Sequence, residues 1–82
     1  MTTLSDIRGW FKNGLEKKAT HLMVVCDTFD HEEYPVYVQG SEDVRDKYDD
    51  YANKNMQKVL EVYNLSLDME EQLAESPRTF NF

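Results

Sequence analysis

The sequence predicts one small α+β domain over residues 1–82, with the element order α-β-β-α-α. Apolar residues recur at helical spacing near the N-terminus and again after residue 43, whereas residues 21–38 hold a continuous apolar run followed by an alternating one. The composition, 40% hydrophobic and 12% aromatic, is too apolar for a disordered chain. We therefore expect a two-stranded antiparallel β-hairpin packed against an N-terminal helix and a long central helix.

The first helix is predicted from an apolar stripe and a capping pair. Thr3 can accept an early backbone amide, and Asp6 suits the positive end of a helix. Lys17 and Lys18 complement the C-terminal end, which favours a helix that continues to Lys18 over one that ends near residue 12. The stripe consists of Leu4, Ile7, Phe11 and Leu15.

The hairpin is predicted from residues 21–28 and 34–38. The first strand is apolar on both faces, and such strands are normally covered on both. The second contains Pro35, which lacks a backbone N–H, so this strand should lie at an edge of the sheet or bulge there. An isolated hairpin is only marginally stable, so the free edge of the first strand should pair with residues 80–82 or with its copy in a second subunit. We favour a homodimer.

The long central helix is predicted over residues 41–63, where the periodicity is clearest, with Ser41 as its cap. A short helix capped by Ser66 should follow and stop at Pro77. The stripe of the long helix consists of Val44, Tyr48, Tyr51, Ala52, Met56, Val59, Leu60 and Tyr63.

The charge of the chain limits its partners. The net charge is −7 and the pI is about 4.6, and the acid is uneven: residues 1–20 hold four basic and two acidic residues, residues 21–82 five basic and fourteen acidic. Such a field repels phosphate backbones, so direct binding of DNA or RNA is not expected. No apolar run approaches the ~20 residues of a membrane span, and no signal pattern is present, so we expect a cytoplasmic protein that does not contact membranes.

Chemistry-bearing motifs are scarce. Residues 27–33 gather carboxylates and an imidazole at a strand end, but their spacing fits neither an EF-hand nor a zinc helix, so a solvated turn is favoured and metal binding stays open. Cys26 lies within an apolar strand, where a thiol is usually inert. No nucleophile turn or glycine-rich phosphate loop is present. We expect no catalytic residues, no metal, no cofactor and no enzymatic activity.

Two sets of charged residues are candidate binding sites. Carboxylates displayed on a rigid helix can replace phosphates in the basic groove of a protein, although the same residues could simply keep the protein soluble. The acidic set is Glu42, Asp43, Asp46, Asp49 and Asp50 of the helix, with Asp30, Glu32 and Glu33 of the hairpin loop as a second contact. The alternative is a small-ligand or nucleotide site in a cationic groove of a homodimer, formed by Arg8, Lys12, Lys17, Lys18 and His21.

Residues 19–38, ATHLMVVCDTFDHEEYPVYV, resemble a hairpin core of small, mostly uncharacterised accessory proteins of tailed bacteriophages. The resemblance carries no catalytic motif and implies context only. Small acidic phage proteins often bind and inhibit a host protein, such as a nucleic-acid-handling defence factor. The resemblance and the charge together predict an inhibitor that acts in the host cytoplasm on a protein with a basic surface.

Overall fold

The computed structural model describes residues 2–75 and 80–82. It has three helices and one three-stranded antiparallel sheet with the strand order β2-β1-β3, so the predicted α+β class is confirmed and the predicted element order is not. Within the described residues no helix is long and apolar enough to cross a membrane. The elements in chain order are α1 (Leu4–Glu16), β1 (His21–Asp27), β2 (Glu33–Val38), α2 (Val44–Ala52), β3 (Gln57–Asn64) and α3 (Met69–Ala74).

The central strand β1 is buried on both faces, as its doubly apolar sequence predicts. Leu22 and Val24 point into a cluster beneath α1 and α3, whereas Met23 and Val25 point into a second cluster beneath α2 and residues 80–82. All four side chains are at most 2% exposed. Successive residues of a strand face opposite sides of its sheet, so one short segment supplies the centre of both cores.

The strand β2 lies at an edge of the sheet, as Pro35 predicts. Asp27 N–H donates to Glu32 O at 2.8 Å, which places the hydrogen-bonded pairs at alternate residues of the ladder. Pro35, opposite Val24, falls between those pairs and turns its nitrogen outward. The missing N–H therefore costs no ladder hydrogen bond, and it leaves the exposed edge a poor template for another strand.

The prediction of one helix over residues 41–63 is wrong. The helix α2 ends at Ala52, and the chain reverses through Met56, whose φ is +62°, into β3. β3 then pairs with β1, with a bulge beside Val24 and Val25. This sheet edge would otherwise expose a row of unpaired N–H and C=O groups, and filling it outweighs the helical pattern of the segment.

Because β3 occupies that edge, the predicted pairing of β1 with the tail or with its copy in a second subunit is also wrong. The tail instead lies beside β3, where Asn81 N–H donates to Val62 O at 3.1 Å. Phe80 and Phe82 pack edge-to-face against Tyr48 of α2, at ring-centroid distances of 5.7 and 5.2 Å. The tail thus joins α2 to the outer edge of the sheet.

Both ends of α1 lie close to the positions predicted from the sequence. Thr3 and Asp6 form the predicted capping box, and the helix ends at Glu16, with Lys17 as its C-cap. The helix continues through Gly14 because it packs tightly there. A Cβ at Gly14 would lie 2.7 Å from Leu65 Cδ1 and 3.2 Å from the Tyr37 ring, so the missing side chain lets α1 approach the sheet.

The other predicted caps are displaced. Asp43, not Ser41, caps α2, and its Oδ1 accepts hydrogen bonds from the backbone amides of Arg45 and Asp46 at 2.8 and 3.2 Å. Asp68, not Ser66, caps α3. An aspartate accepts helix amides as well as a serine does and adds a charge that the helix dipole favours. The predicted stop at Pro77 lies outside the described residues.

Candidate protein-binding surface

The helix α2 turns an acidic face toward solvent. Val44, Tyr48 and Tyr51 pack against the sheet on one side, while Asp46, Asp49 and Asp50 are exposed on the other. Arg45 stacks over Phe82, with the guanidinium carbon 4.4 Å from the ring centroid, which adds to the contact between helix and tail. The face is therefore held by packing rather than by the charges themselves. We call Asp46, Asp49 and Asp50 the acidic face.

Two of the predicted helix acids serve the fold. Glu42 accepts a hydrogen bond from the Gln39 amide at 2.9 Å, and its other oxygen lies 2.7 Å from Lys47 Nζ. The hydrogen bond from Lys47, reinforced by the Gln39 amide, lowers the pKa of Glu42. Asp43 is committed to capping α2. Within the described residues, by contrast, the carboxylates of the acidic face make no ion pair or hydrogen bond, so they are available to another molecule.

A surface depression of about 480 Å³ runs along this side of α2. Four of the residues that line it are acidic and one is basic, and that one is the Lys47 already paired with Glu42. The lining residues are Glu42, Asp43, Asp46, Lys47, Asp50 and Tyr51.

The charge density of the acidic face is close to that of a nucleic acid. An α-helix rises about 1.5 Å per residue, so the three carboxylates between residues 46 and 50 span about 6 Å, with a mean spacing of about 3 Å along the axis. A single strand of double-stranded DNA carries one charge per about 3.4 Å of its axis. A basic groove shaped for phosphates would therefore meet a similar density of negative charge on this helix.

The acids predicted for the hairpin loop, the last of which begins β2, lie on the other side of the sheet. Asp30, Glu32 and Glu33 line a depression of about 550 Å³ with Asp6 and Trp10 of α1. This depression shares no residue with the one along α2. The structure therefore divides the predicted acidic set between two surfaces.

The loop itself has the predicted turn chemistry. Asp30 Oδ1 accepts a hydrogen bond from the Glu32 amide at 3.0 Å, and Asp27 Oδ1 accepts one from the Phe29 amide at 2.8 Å. Within residues 2–75 and 80–82, no three His, Cys, Asp or Glu side chains are grouped so as to hold a metal ion.

The members of the predicted cationic set lie in different local environments. Arg8 forms a bidentate ion pair with Glu70 of α3, at 3.0 Å from Nε and 2.8 Å from Nη2. The Arg8 hydrogen bond lowers the pKa of Glu70, and the charge of Lys12 contributes in the same direction. Lys17 lies over the Tyr37 ring, with Nζ 5.8 Å from its centroid. Lys18 follows the C-cap with a φ of +57°, in the turn that leads to β1.

The fifth member, His21, lies among residues of the α2 N-terminus and the tail. The Thr20 hydroxyl donates to Val38 O at 3.2 Å, so it accepts the hydrogen bond from His21 Nδ1 at 3.0 Å, and Nδ1 carries the proton. Nε2 is buried and has no hydrogen-bond partner among the described residues. Burial lowers the pKa of His21, although the Phe82 backbone acts in the opposite direction.

This environment predicts a pH-dependent stability. The unfolded chain binds a proton at His21 near pH 6.5, whereas the folded protein resists doing so until lower pH. The free energy of unfolding should therefore fall as the pH decreases from about 7.5 toward the lowered pKa of the folded state. The folded protein also lowers the pKa values of Glu42 and Glu70. Protonation of these two carboxylates should reduce the free energy of unfolding in a separate range, below about pH 4.5.

Urea denaturation between about pH 7.5 and pH 5 measures this slope. His21→Asn should flatten it, whereas His31→Asn, on an exposed loop, should leave it unchanged. An equal slope in wild type and His21→Asn would contradict the assignment.

Three residues that matter to the surface or its support were not singled out in the sequence. Phe29 is 77% exposed, and Met56 is 45% exposed. Phe29 could have been recognised as an aromatic residue within a polar turn, whereas Met56 was hidden in the helical stripe. Gln72 is 3% exposed although polar, and no sequence signal marks it.

Comparisons of the chain with protein-family models, with curated proteins and with solved structures found no match.

Proposed function

We propose that this protein is a non-catalytic binding protein that uses the acidic face of α2 to occupy, and so block, a basic surface of another protein. The observation that carries the proposal is the set of three exposed carboxylates on one helix, none of which makes an ion pair or a side-chain hydrogen bond within the described residues. Binding can therefore use these charges without breaking internal contacts.

The packing of α2 supports the proposal. The helix is held to the sheet by Tyr48 and Tyr51 and to the tail by the stacking of Arg45 on Phe82. Its carboxylates are thus positioned before any partner arrives. A preformed charged surface speeds encounter and discriminates against partners of the wrong sign.

The chemistry of the partner follows from the charge. A groove lined by Arg and Lys that normally accepts phosphates would accept the acidic face with little rearrangement. The phage resemblance of residues 19–38 favours a host nucleic-acid-handling protein, with inhibition in the host cytoplasm as the result. The alternative nucleotide site has weaker support, because Arg8 is already paired with Glu70.

The test compares two variants of equal net charge. Asp46→Asn/Asp50→Asn removes two charges from the acidic face, and Glu16→Gln/Glu71→Gln removes two exposed charges elsewhere. Each protein is immobilised and exposed to a nuclease-treated bacterial lysate, and the retained proteins are quantified by mass spectrometry.

We expect wild type and the Glu16/Glu71 variant to retain the same basic protein, and the Asp46/Asp50 variant to retain at least about tenfold less of it. Equal losses in both variants would mean that only net charge matters and would contradict the proposal. Stabilisation of the free protein by a nucleotide in a thermal-shift panel would instead favour the small-ligand alternative.

A further inference from the structure

Two exposed apolar side chains lie on adjacent loops at one end of the sheet. Phe29 is in the β1–β2 loop and Met56 is in the α2–β3 turn. Thr28 N–H donates to Met56 O at 2.9 Å, so the residue before Phe29 is hydrogen-bonded directly to Met56. We call Phe29 and Met56 the apolar tip.

The backbone beneath Phe29 is fixed by hydrogen bonds. Asp27 N–H donates to Glu32 O at 2.8 Å, and His31 N–H donates to Asp27 O at 2.7 Å, which closes the loop at both ends. The Phe29 amide is bonded to the Asp27 carboxylate. An ordered loop loses little conformational entropy on binding, so burial of Phe29 by a partner would contribute most of its apolar free energy to affinity.

The surroundings of the apolar tip are acidic. Asp30 and Glu32 flank Phe29 within its own loop, and Asp49 and Asp50 lie in the last turn of α2, just before the turn that contains Met56. The tip therefore continues the acidic face at its C-terminal end. Two cations lie close to Met56 in the sequence: Lys54, whose Nζ lies 4.5 Å from the centroid of the Tyr51 ring, and the exposed Lys58 near the start of β3.

We propose that Phe29, supported by Met56, is the apolar anchor of the interface formed by the acidic face. This inference rests on the proposed function and extends it: the partner has an apolar pocket for Phe29 with a rim of Arg and Lys. Aromatic anchors inside a polar rim typically dominate the energy of such interfaces. Asp30 and Glu32 contact the rim from one side of the pocket, and Asp49 and Asp50 contact it from the other.

A second copy of this chain is a poorer occupant. Two apolar tips brought together across a two-fold axis would also bring together both sets of carboxylates around them. Juxtaposed like charges oppose association. A partner of opposite charge gains from the same geometry.

The test uses two synthetic peptides of equal length and charge, one with alternating Arg and Leu and the other with alternating Arg and Ser. Affinities of the full chain are measured by fluorescence anisotropy. We expect wild type to bind the Arg–Leu peptide at least about tenfold more tightly than the Arg–Ser peptide. Phe29→Ser should reduce this ratio of affinities to about twofold or less. Leu67→Ser should preserve the ratio, because Leu67 is an apolar residue outside the tip that is also exposed, at 51%.

The outcomes separate this inference from the proposed function. Asp46→Asn/Asp50→Asn should weaken binding of both peptides and preserve their ratio. If wild type shows no preference for the Arg–Leu peptide, or if the Phe29→Ser variant keeps that preference, Phe29 is not the anchor. Neither result contradicts binding through the acidic face. A wild-type dimer that Phe29→Ser dissociates in light scattering would assign the tip to a second copy and likewise overturn it.

Discussion

Replacing either Leu22 or Met23 by alanine is expected to lower the free energy of unfolding by about 2–5 kcal/mol. Both side chains are fully buried, but they lie in different cores, Leu22 beneath α1 and α3 and Met23 beneath α2. Each deletion leaves a cavity that the central strand cannot close, because pairing on both edges holds its backbone. Urea denaturation followed by circular dichroism measures the effect.

The two substitutions together test whether both faces of the sheet are covered, because consecutive residues of a strand face opposite sides of the sheet. A sheet covered on one side only would give one large loss and one small one. Leu4→Ala, at a residue 53% exposed on α1, is the matched control and should cost less than about 1 kcal/mol. A small effect at Met23 would contradict the packing of α2 and the tail against the sheet.

Replacing Gln72 by leucine is expected to cost about 2–4 kcal/mol, since the change removes several hydrogen bonds at once. Its side-chain oxygen accepts from the Asn64 amide at 2.8 Å, and its nitrogen donates to Asn64 O at 2.9 Å. The same oxygen accepts from Asn81 Nδ2 at 3.1 Å. One side-chain amide thus takes the place of a neighbouring strand at the end of β3 and ties the tail to α3.

Leucine fills a similar volume but leaves the Asn64 amide without its acceptor in a protected site, while Asn64 O keeps the hydrogen bond from the Leu67 amide. Gln39→Leu is the control, because Gln39 is exposed, and it should change stability by less than about 0.5 kcal/mol. Amide exchange at Asn64 provides the direct readout and should accelerate only in the Gln72 variant. Unchanged protection there would show that the network is dispensable.

The features that the sequence predicted correctly depend on local chemistry. The Thr3–Asp6 box, the hairpin and the edge position of Pro35 follow from residues only a few positions apart. The double burial of β1 follows from its composition alone. None of these predictions requires knowledge of which distant segments meet.

The third strand could not be predicted in this way. Val59, Leu60 and Tyr63 fit a helical stripe, and the bulge in β3 lets the same residues alternate across a sheet. The break at residues 53–56 contains neither glycine nor proline. What decides between helix and strand is the unpaired edge of β1, some thirty residues away, and single-sequence periodicity does not register such tertiary pairing.

The candidate site also combines local features, which the sequence can predict, with tertiary contacts, which it cannot. Helical spacing holds within α2 and places Asp46 three and four residues before Asp49 and Asp50, so all three lie on its exposed side. Which acids are used by the fold depends on partners such as Lys47 and the Gln39 amide, which only the folded chain brings into contact. The apolar tip depends on the α2–β3 turn, which the helical pattern of residues 41–63 does not predict.

The most direct test of the proposed interface is a titration of the ¹⁵N-labelled protein with the Arg–Leu peptide, read by amide chemical shifts. We expect the perturbed amides to cluster at residues 28–32 and 46–56, the loop and helix that carry the apolar tip and the acidic face. Shifts concentrated around Arg8, Lys12 and Lys17, or spread evenly over the chain, would contradict it.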